Sequence, residues 1–144
     1  MQSEACQMQR ANVVSQARRE RARAIVRAGG IRKAVDAGTL PQRIDIALSE
    51  AIVLGLVEQE VRLFLCVLGH GSTEVGEVLR AYEAEGLVRT CAARSEIEAS
   101  HASTALRWVT GEKAAVVTSI GPGALQALAA SLAPASNRIG VWDL

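Results

Sequence analysis

Apolar positions along the chain follow two periods. Between Ala11 and Ala28, Val13, Val14, Ala17, Ala22, Ile25 and Val26 recur among arginines at helical spacing, which predicts a helix ended by Gly29-Gly30. A short helix over Ile31 to Ala37 should stop at Gly38, with Thr39-Leu40-Pro41 as a connector. Asp45 to Glu58 is the next helical stretch, its start near Ile44 or Asp45, with Ile46, Leu48, Ile52, Val53, Leu56 and Val57 forming a broad apolar face. Leu63 to Leu68 is then apolar without alternation, as in a strand buried on both faces. The rest repeats this exchange: a helix from Thr73 to Glu85, a strand over Leu87 to Ala92, a helix from Glu96 to Val109, a strand at Ala114 to Val117, a helix from Gly121 to Leu132, and a last strand at Ile139 to Trp142.

Strands alternating with helices predict βα units and an α/β fold, three layers deep, around a mainly parallel, doubly wound sheet. Residues 1–43 are expected to form a helical N-terminal extension and residues 44–144 the domain proper. A parallel strand needs cover on both faces, and little chain follows Trp142. The expectation is a domain incomplete at its C-terminal end, or one covered there by another chain.

Charge sharpens this division. Residues 1–43 carry nine Lys and Arg against three acids, and residues 44–144 carry seven against twelve. A basic extension ahead of an acidic domain is read first as a helix docking on an acidic neighbour, and second as a contact for nucleic acid or an anionic membrane. Aromatics make up 3% of the chain, too few for a nucleic-acid stacking platform. The cysteines, Cys6, Cys66 and Cys91, have no metal-ligand spacing, and Cys66 and Cys91 sit in apolar runs as small buried hydrophobes. No bound metal is expected within the chain itself. No stretch resembles a signal peptide or reaches membrane-spanning length, so a cytoplasmic location is expected.

In an open parallel sheet, ligands bind beyond the carboxyl ends of the strands. Three loops should leave the sheet there: Gly69-His70-Gly71-Ser72, Arg94-Ser95-Glu96, and Thr118-Ser119-Ile120-Gly121-Pro122-Gly123. Taken singly, each has a plain structural reading. Gly69 and Gly71 would serve a tight turn, Pro122 a helix entry, and Glu96 a helix N-terminus that favours an acid. His101 is read as a packed, hydrogen-bonded histidine.

Taken in order, the loops are more specific. Arg94-Ser95-Glu96, His101, Thr110-Gly111 and Thr118-Ser119-Ile120-Gly121-Pro122-Gly123-Ala124 resemble, in content and spacing, the pyrimidine-binding N-terminal domain of the thiamine diphosphate enzymes of the acetolactate synthase superfamily. Within that superfamily, Gly69-His70-Gly71 and the extra residue in Thr-Ser-Ile-Gly-Pro-Gly look most similar to the trihydroxycyclohexane-dione hydrolases. The resemblance implies thiamine diphosphate and magnesium as cofactors. Glu96 would be the catalytic acid that hydrogen-bonds the aminopyrimidine, favouring the tautomer whose exocyclic nitrogen deprotonates the thiazolium carbon. Gly121, Pro122 and Gly123 would bind the cofactor ring, with the glycines admitting it close to the backbone, while His70 and Ser72 would bind substrate. The cofactor is the electron sink, and the protein supplies position and electrostatics.

Three departures stand against the family pattern. Gln126 occupies the position where the family usually has Asn, and Glu98 lies two residues beyond Glu96 and competes for its role. The Gly-Asp-Gly motif that holds diphosphate and metal does not occur, because Asp36, Asp45 and Asp143 are the chain's aspartates and none stands between glycines. The resemblance therefore implies a partner, a diphosphate-binding domain or subunit, and a homodimer or homotetramer of the complete protein. The leading reading is an enzyme, acetolactate synthase-like or C–C hydrolase-like, acting beside a carbonyl in a small-molecule 2-oxo acid or cyclic diketone. The alternative is a non-catalytic fragment of a cofactor fold serving as an interaction or regulatory module.

Overall fold

The structure, a computed structural model, describes residues 2–144; Met1 and the side chains of residues 2–5, 7 and 10, all in the basic segment, lie outside the described residues. The elements are α1 (Gln2–Ala28), α2 (Ile31–Asp36), α3 (Leu48–Glu58), β1 (Leu63–Cys66), α4 (Thr73–Glu83), β2 (Arg89–Ala92), α5 (Glu96–Thr110), β3 (Ala114–Val117), α6 (Pro122–Ala130), α7 (Leu132–Ser136) and β4 (Trp142–Asp143). The strands form one parallel sheet in the order β2-β1-β3-β4. This is the α/β architecture that the alternating periods predict.

Period-two geometry splits the buried strands between two cores. Phe64 and Cys66 of β1, with Ala115 and Val117 of β3, face a layer built from α1, α2, α3 and α4. Leu63 and Leu65, with Ala114 and Val116, face α5. All four residues of β1 and all four of β3 are buried. Continuous apolar runs therefore mark the central strands, as covering on both sides requires.

Edges behave differently. β2 is mostly exposed, so Cys91 is exposed and only Cys66 is a buried thiol. The expectation of two buried cysteines is corrected by β2's place at the sheet margin. Burial pushes the Cys66 thiol up to about 11. A neutral thiol is a poor nucleophile, so brief alkylation of the native protein at pH 8 should label Cys6 and Cys91 and spare Cys66. Peptide mass spectrometry reads this, and equal labelling of Cys66 would contradict its burial.

Element boundaries moved where tertiary contacts overrode periodicity. Helix α3 begins at Leu48 rather than Asp45, with Ala47 still extended. This start puts Glu50 in the first turn, where the helix dipole favours a carboxylate, and turns it inward. The stretch expected as one helix from Gly121 breaks at Ser131 into α6 and α7. β4 starts three residues later than expected and pairs through Trp142 and Asp143 alone.

The basic segment docks on the domain's own acids. Ala22 and Ile25 of α1, Ala34 of α2 and Leu40 share the larger core with the sheet. Arg23 pairs with Glu85 at 2.8 Å, Arg32 pairs with Glu58, and Arg18 reaches Glu74 at 3.8 Å. At the centre lies Glu50, 1% exposed. Its carboxylate accepts from Nε and Nη2 of Arg21, each at 2.8 Å, and from the Tyr82 hydroxyl at 2.8 Å. Arg18 Nε lies 3.5 Å from the same carboxylate without the alignment of a hydrogen bond. Burial and the Glu50 carboxylate together push the Tyr82 hydroxyl above the usual tyrosine range. Among the described residues, no helix is long and apolar enough to cross a membrane.

Candidate functional site

The topology brings the predicted residues to one edge. From β1 the chain turns into α4 on one face; after β3 it turns into α6, which packs with α5 on the other. Adjacent strands whose connections leave to opposite faces open a crevice at their carboxyl ends. The loops after β1 and β3 flank that crevice, and α5 delivers its N-terminus from β2.

Ser95 caps α5, accepting from the Glu98 backbone N–H at 3.2 Å. This cap sorts the two competing carboxylates. Glu98 is exposed and tied to Arg94, whose backbone N–H and Nε each donate at 3.1 Å. The hydrogen bond from the Arg94 side chain holds its carboxyl below the usual range. Glu96, by contrast, is 7% exposed and turns toward the loop after β3, where the Ser119 hydroxyl donates to its Oε1 at 3.3 Å.

The Gly-Pro-Gly turn is shaped around that carboxyl. Gly121 has φ 70° and ψ −117°, a conformation that side chains resist, and Pro122 opens α6. Gly123 answers a different need. A methyl there would lie 3.2 Å from the Glu96 carboxyl carbon and collide with both Oε1 and Ser119 Oγ. The bare backbone of Gly123 thus forms one wall of the Glu96 site.

The loop after β1 is packed onto the loop after β3. The Ile120 N–H donates to the His70 carbonyl at 3.1 Å, and a methyl on Gly69 would lie 2.8 Å from Ser119 Cβ. His70 is exposed on this loop. Ser72 is 5% exposed; its hydroxyl accepts from Gly69 N at 3.0 Å and donates to Gly69 O at 3.2 Å, bracing the loop from within. His101 departs from expectation: it is exposed rather than packed. The buried positions of α5 are Glu96, Ala99, Ser100, Ser103 and Thr104, so a residue at 101 falls on the opposite stripe. An open groove lined by Cys66, Gly69, Gly76, Glu83 and Thr90 lies between α4 and β2. It shares only Gly69 with the loops around Glu96.

Two residues that sequence reasoning did not single out matter here. Ser119 was visible only as part of the Thr-Ser-Ile-Gly-Pro-Gly run, and its link to Glu96 needs three dimensions. Glu50 gave no periodic signal, because burial of a lone acid is legible only beside its arginines.

Comparison with known proteins fits this geometry. The profile of the family described as thiamine pyrophosphate enzyme, N-terminal TPP binding domain, matches residues 46–141. The chain belongs to that family. The match begins after α2, so the thiamine pyrophosphate domain of this chain carries α1 and α2 in addition to the matched region. All three site loops fall inside it. Searches of the curated proteins and of the solved structures gave no match. Membership makes thiamine diphosphate the cofactor of this thiamine pyrophosphate domain and places the chain among enzymes that depend on it.

Proposed function

We propose that this chain supplies the pyrimidine-facing half of a thiamine diphosphate site, with Glu96 as its catalytic acid. The observation that carries the reading is the buried Glu96 carboxyl, packed with Ser119 Oγ into the room that Gly123 leaves by having no side chain. Oε1 is engaged by Ser119, while Oε2 has no hydrogen-bond partner among the described residues. Glu96, through Oε2, and the Gly121-Pro122-Gly123 turn would hold the cofactor's aminopyrimidine ring, which carries a nitrogen acceptor. Glu96 would hold a proton at that oxygen and deliver it to the ring. When bound, the cofactor supplies an acidified carbon and stores the electron pair released beside a carbonyl.

His70, exposed at the crevice, is the substrate contact of this reading, and Ser72 contributes by holding the loop that carries it. The reaction we favour makes or breaks a C–C bond next to a carbonyl in a 2-oxo acid or cyclic diketone, in the manner of acetolactate synthases or of C–C hydrolases. The Gly-His-Gly loop and the extra Ile120 support the kinship to trihydroxycyclohexane-dione hydrolases. Diphosphate and magnesium would be held by a second domain or subunit. Exposed apolar side chains on α5 and α6 support a protein partner beside the site: Ile97 is 42% exposed, Trp108 66%, Leu125 66% and Leu128 64%. A homodimer or homotetramer of the complete protein, located in the cytoplasm, completes the reading.

Calorimetric titration of thiamine diphosphate with magnesium into the complete protein tests the cradle. Gly123→Ala should weaken binding at least about tenfold, roughly 1.4 kcal/mol. Gly140→Ala is the control, because a methyl there meets nothing within 4 Å. Equal affinities for wild type and Gly123→Ala would refute a role in cofactor binding for the Glu96 carboxyl as Gly123 packs it.

A further inference from the structure

We propose that Ser119 is a positioning residue: its hydroxyl sets the orientation of the Glu96 carboxyl, and through it the rate of proton transfer at the cofactor. This rests on the Glu96 reading above.

A glutamate side chain has three free torsions, and its last is broad and weakly restrained. Glu98 is held by three hydrogen bonds from Arg94. Glu96 receives one hydrogen bond at its carboxyl among the described residues, from Ser119 Oγ to Oε1 at 3.3 Å. That single donor decides which oxygen points inward and which is offered to a ligand.

Ser119 is suited to the task because it is itself fixed from both sides. Before it, Thr118 is 6% exposed. After it, the Ile120 N–H is bonded to the His70 carbonyl at 3.1 Å. Its Cβ rests where Gly69 leaves room, 2.8 Å from the position a methyl on Gly69 would take, and its Oγ fills the room left by Gly123, where a methyl would collide with it. One side chain therefore touches the loop of His70, the turn of Gly123 and the carboxyl of Glu96. A shift of the substrate loop would be transmitted to the acid through it.

The competing explanation is that Ser119 only fills space between the loops. Alanine separates the two, since Ser119→Ala keeps the Cβ packed over Gly69 and removes only the donor. The experiment uses the complete protein with thiamine diphosphate and magnesium bound. It measures deuterium exchange at the thiazolium carbon, the dissociation constant for the cofactor and the melting temperature of wild type, Ser119→Ala and Glu96→Gln.

Positioning predicts that Ser119→Ala slows exchange about tenfold, with cofactor affinity within threefold of wild type and an unchanged melting temperature. A crystal structure of the variant should show the Glu96 carboxyl in more than one rotamer. Exchange slowed less than threefold, while Glu96→Gln abolishes it, would overturn the role of Ser119 and leave Glu96 standing. A loss explained by weaker cofactor binding or a lower melting temperature would also overturn it, in favour of contact or packing. Unchanged exchange in Glu96→Gln would instead remove the reading on which the proposal rests.

Discussion

Replacing Glu50 with Ala should cost the fold about 3–5 kcal/mol, the usual result of stripping one partner from a buried ion pair. Glu50 is 1% exposed, and Arg18 beside it is 7% exposed. Without the carboxylate, the Arg21 guanidinium and the Tyr82 hydroxyl lose their common acceptor, and Arg18 loses its close counter-charge, in a place with little water to replace it. A loss of that size is a large part of the 5–15 kcal/mol that holds a typical domain. The melting temperature should fall by roughly 6–20 °C at about 2–4 °C per kcal/mol. The ion pair of Glu77 and Arg80 is the control, since both side chains are more than half exposed; Glu77→Gln should cost under about 1 kcal/mol.

Charge burial, not lost volume, would be the cause, and a compensated variant shows which. Removing the whole cluster with Arg18→Met, Arg21→Met, Glu50→Leu and Tyr82→Phe leaves no orphaned charge, and such replacements are often neutral or stabilising. That variant should recover most of the stability lost by Glu50→Ala. Thermal denaturation followed by circular dichroism measures all of these. A change below about 1 kcal/mol in Glu50→Ala would show that the cluster is solvated and does not lock α1 to the domain.

This cluster also marks the limit of what was legible in the sequence. Burial on two faces leaves a plain trace, so Leu63 to Cys66 and Ala114 to Val117 announce themselves as central strands, and the α/β class follows. Glycine and proline constrain the backbone so strongly that the turn at Gly121-Pro122-Gly123, and the place of Glu96 at the head of α5, could be read from residue order. Positions whose environment depends on the third dimension could not. Cys91 looks apolar in its run, yet it lies on an edge strand. His101 sits among small residues that suggest packing, yet the buried stripe of α5 passes through Ser100 and Ser103 instead. The surplus of arginine before residue 44 and of acid after it pointed to docking on an acidic neighbour. The neighbour proves to include the domain's own Glu50, Glu74 and Glu85. Which acid is buried beneath which arginine is decided by helix phase, and a shift of three residues in the start of α3 was enough to hide it.

At the candidate site, Glu96→Gln should slow proton exchange at the thiazolium carbon by about 10²–10⁴-fold, the range that general acid–base groups contribute. Glutamine preserves the length of the side chain and can still accept from Ser119 through its carbonyl oxygen, so the loop after β3 should keep its shape. What it cannot do is give up and regain a proton at the oxygen facing the ring. Glu98→Gln is the matched control. Its carboxylate is exposed and committed to Arg94, so exchange should stay within about twofold of wild type. The decisive measurement is the rate of that exchange in the complete protein, with thiamine diphosphate and magnesium bound, for wild type and these two variants. Loss of exchange in Glu96→Gln with retention in Glu98→Gln is the result predicted here. Exchange at the wild-type rate in Glu96→Gln, with cofactor still bound, would contradict the assignment of Glu96 as the acid of this site.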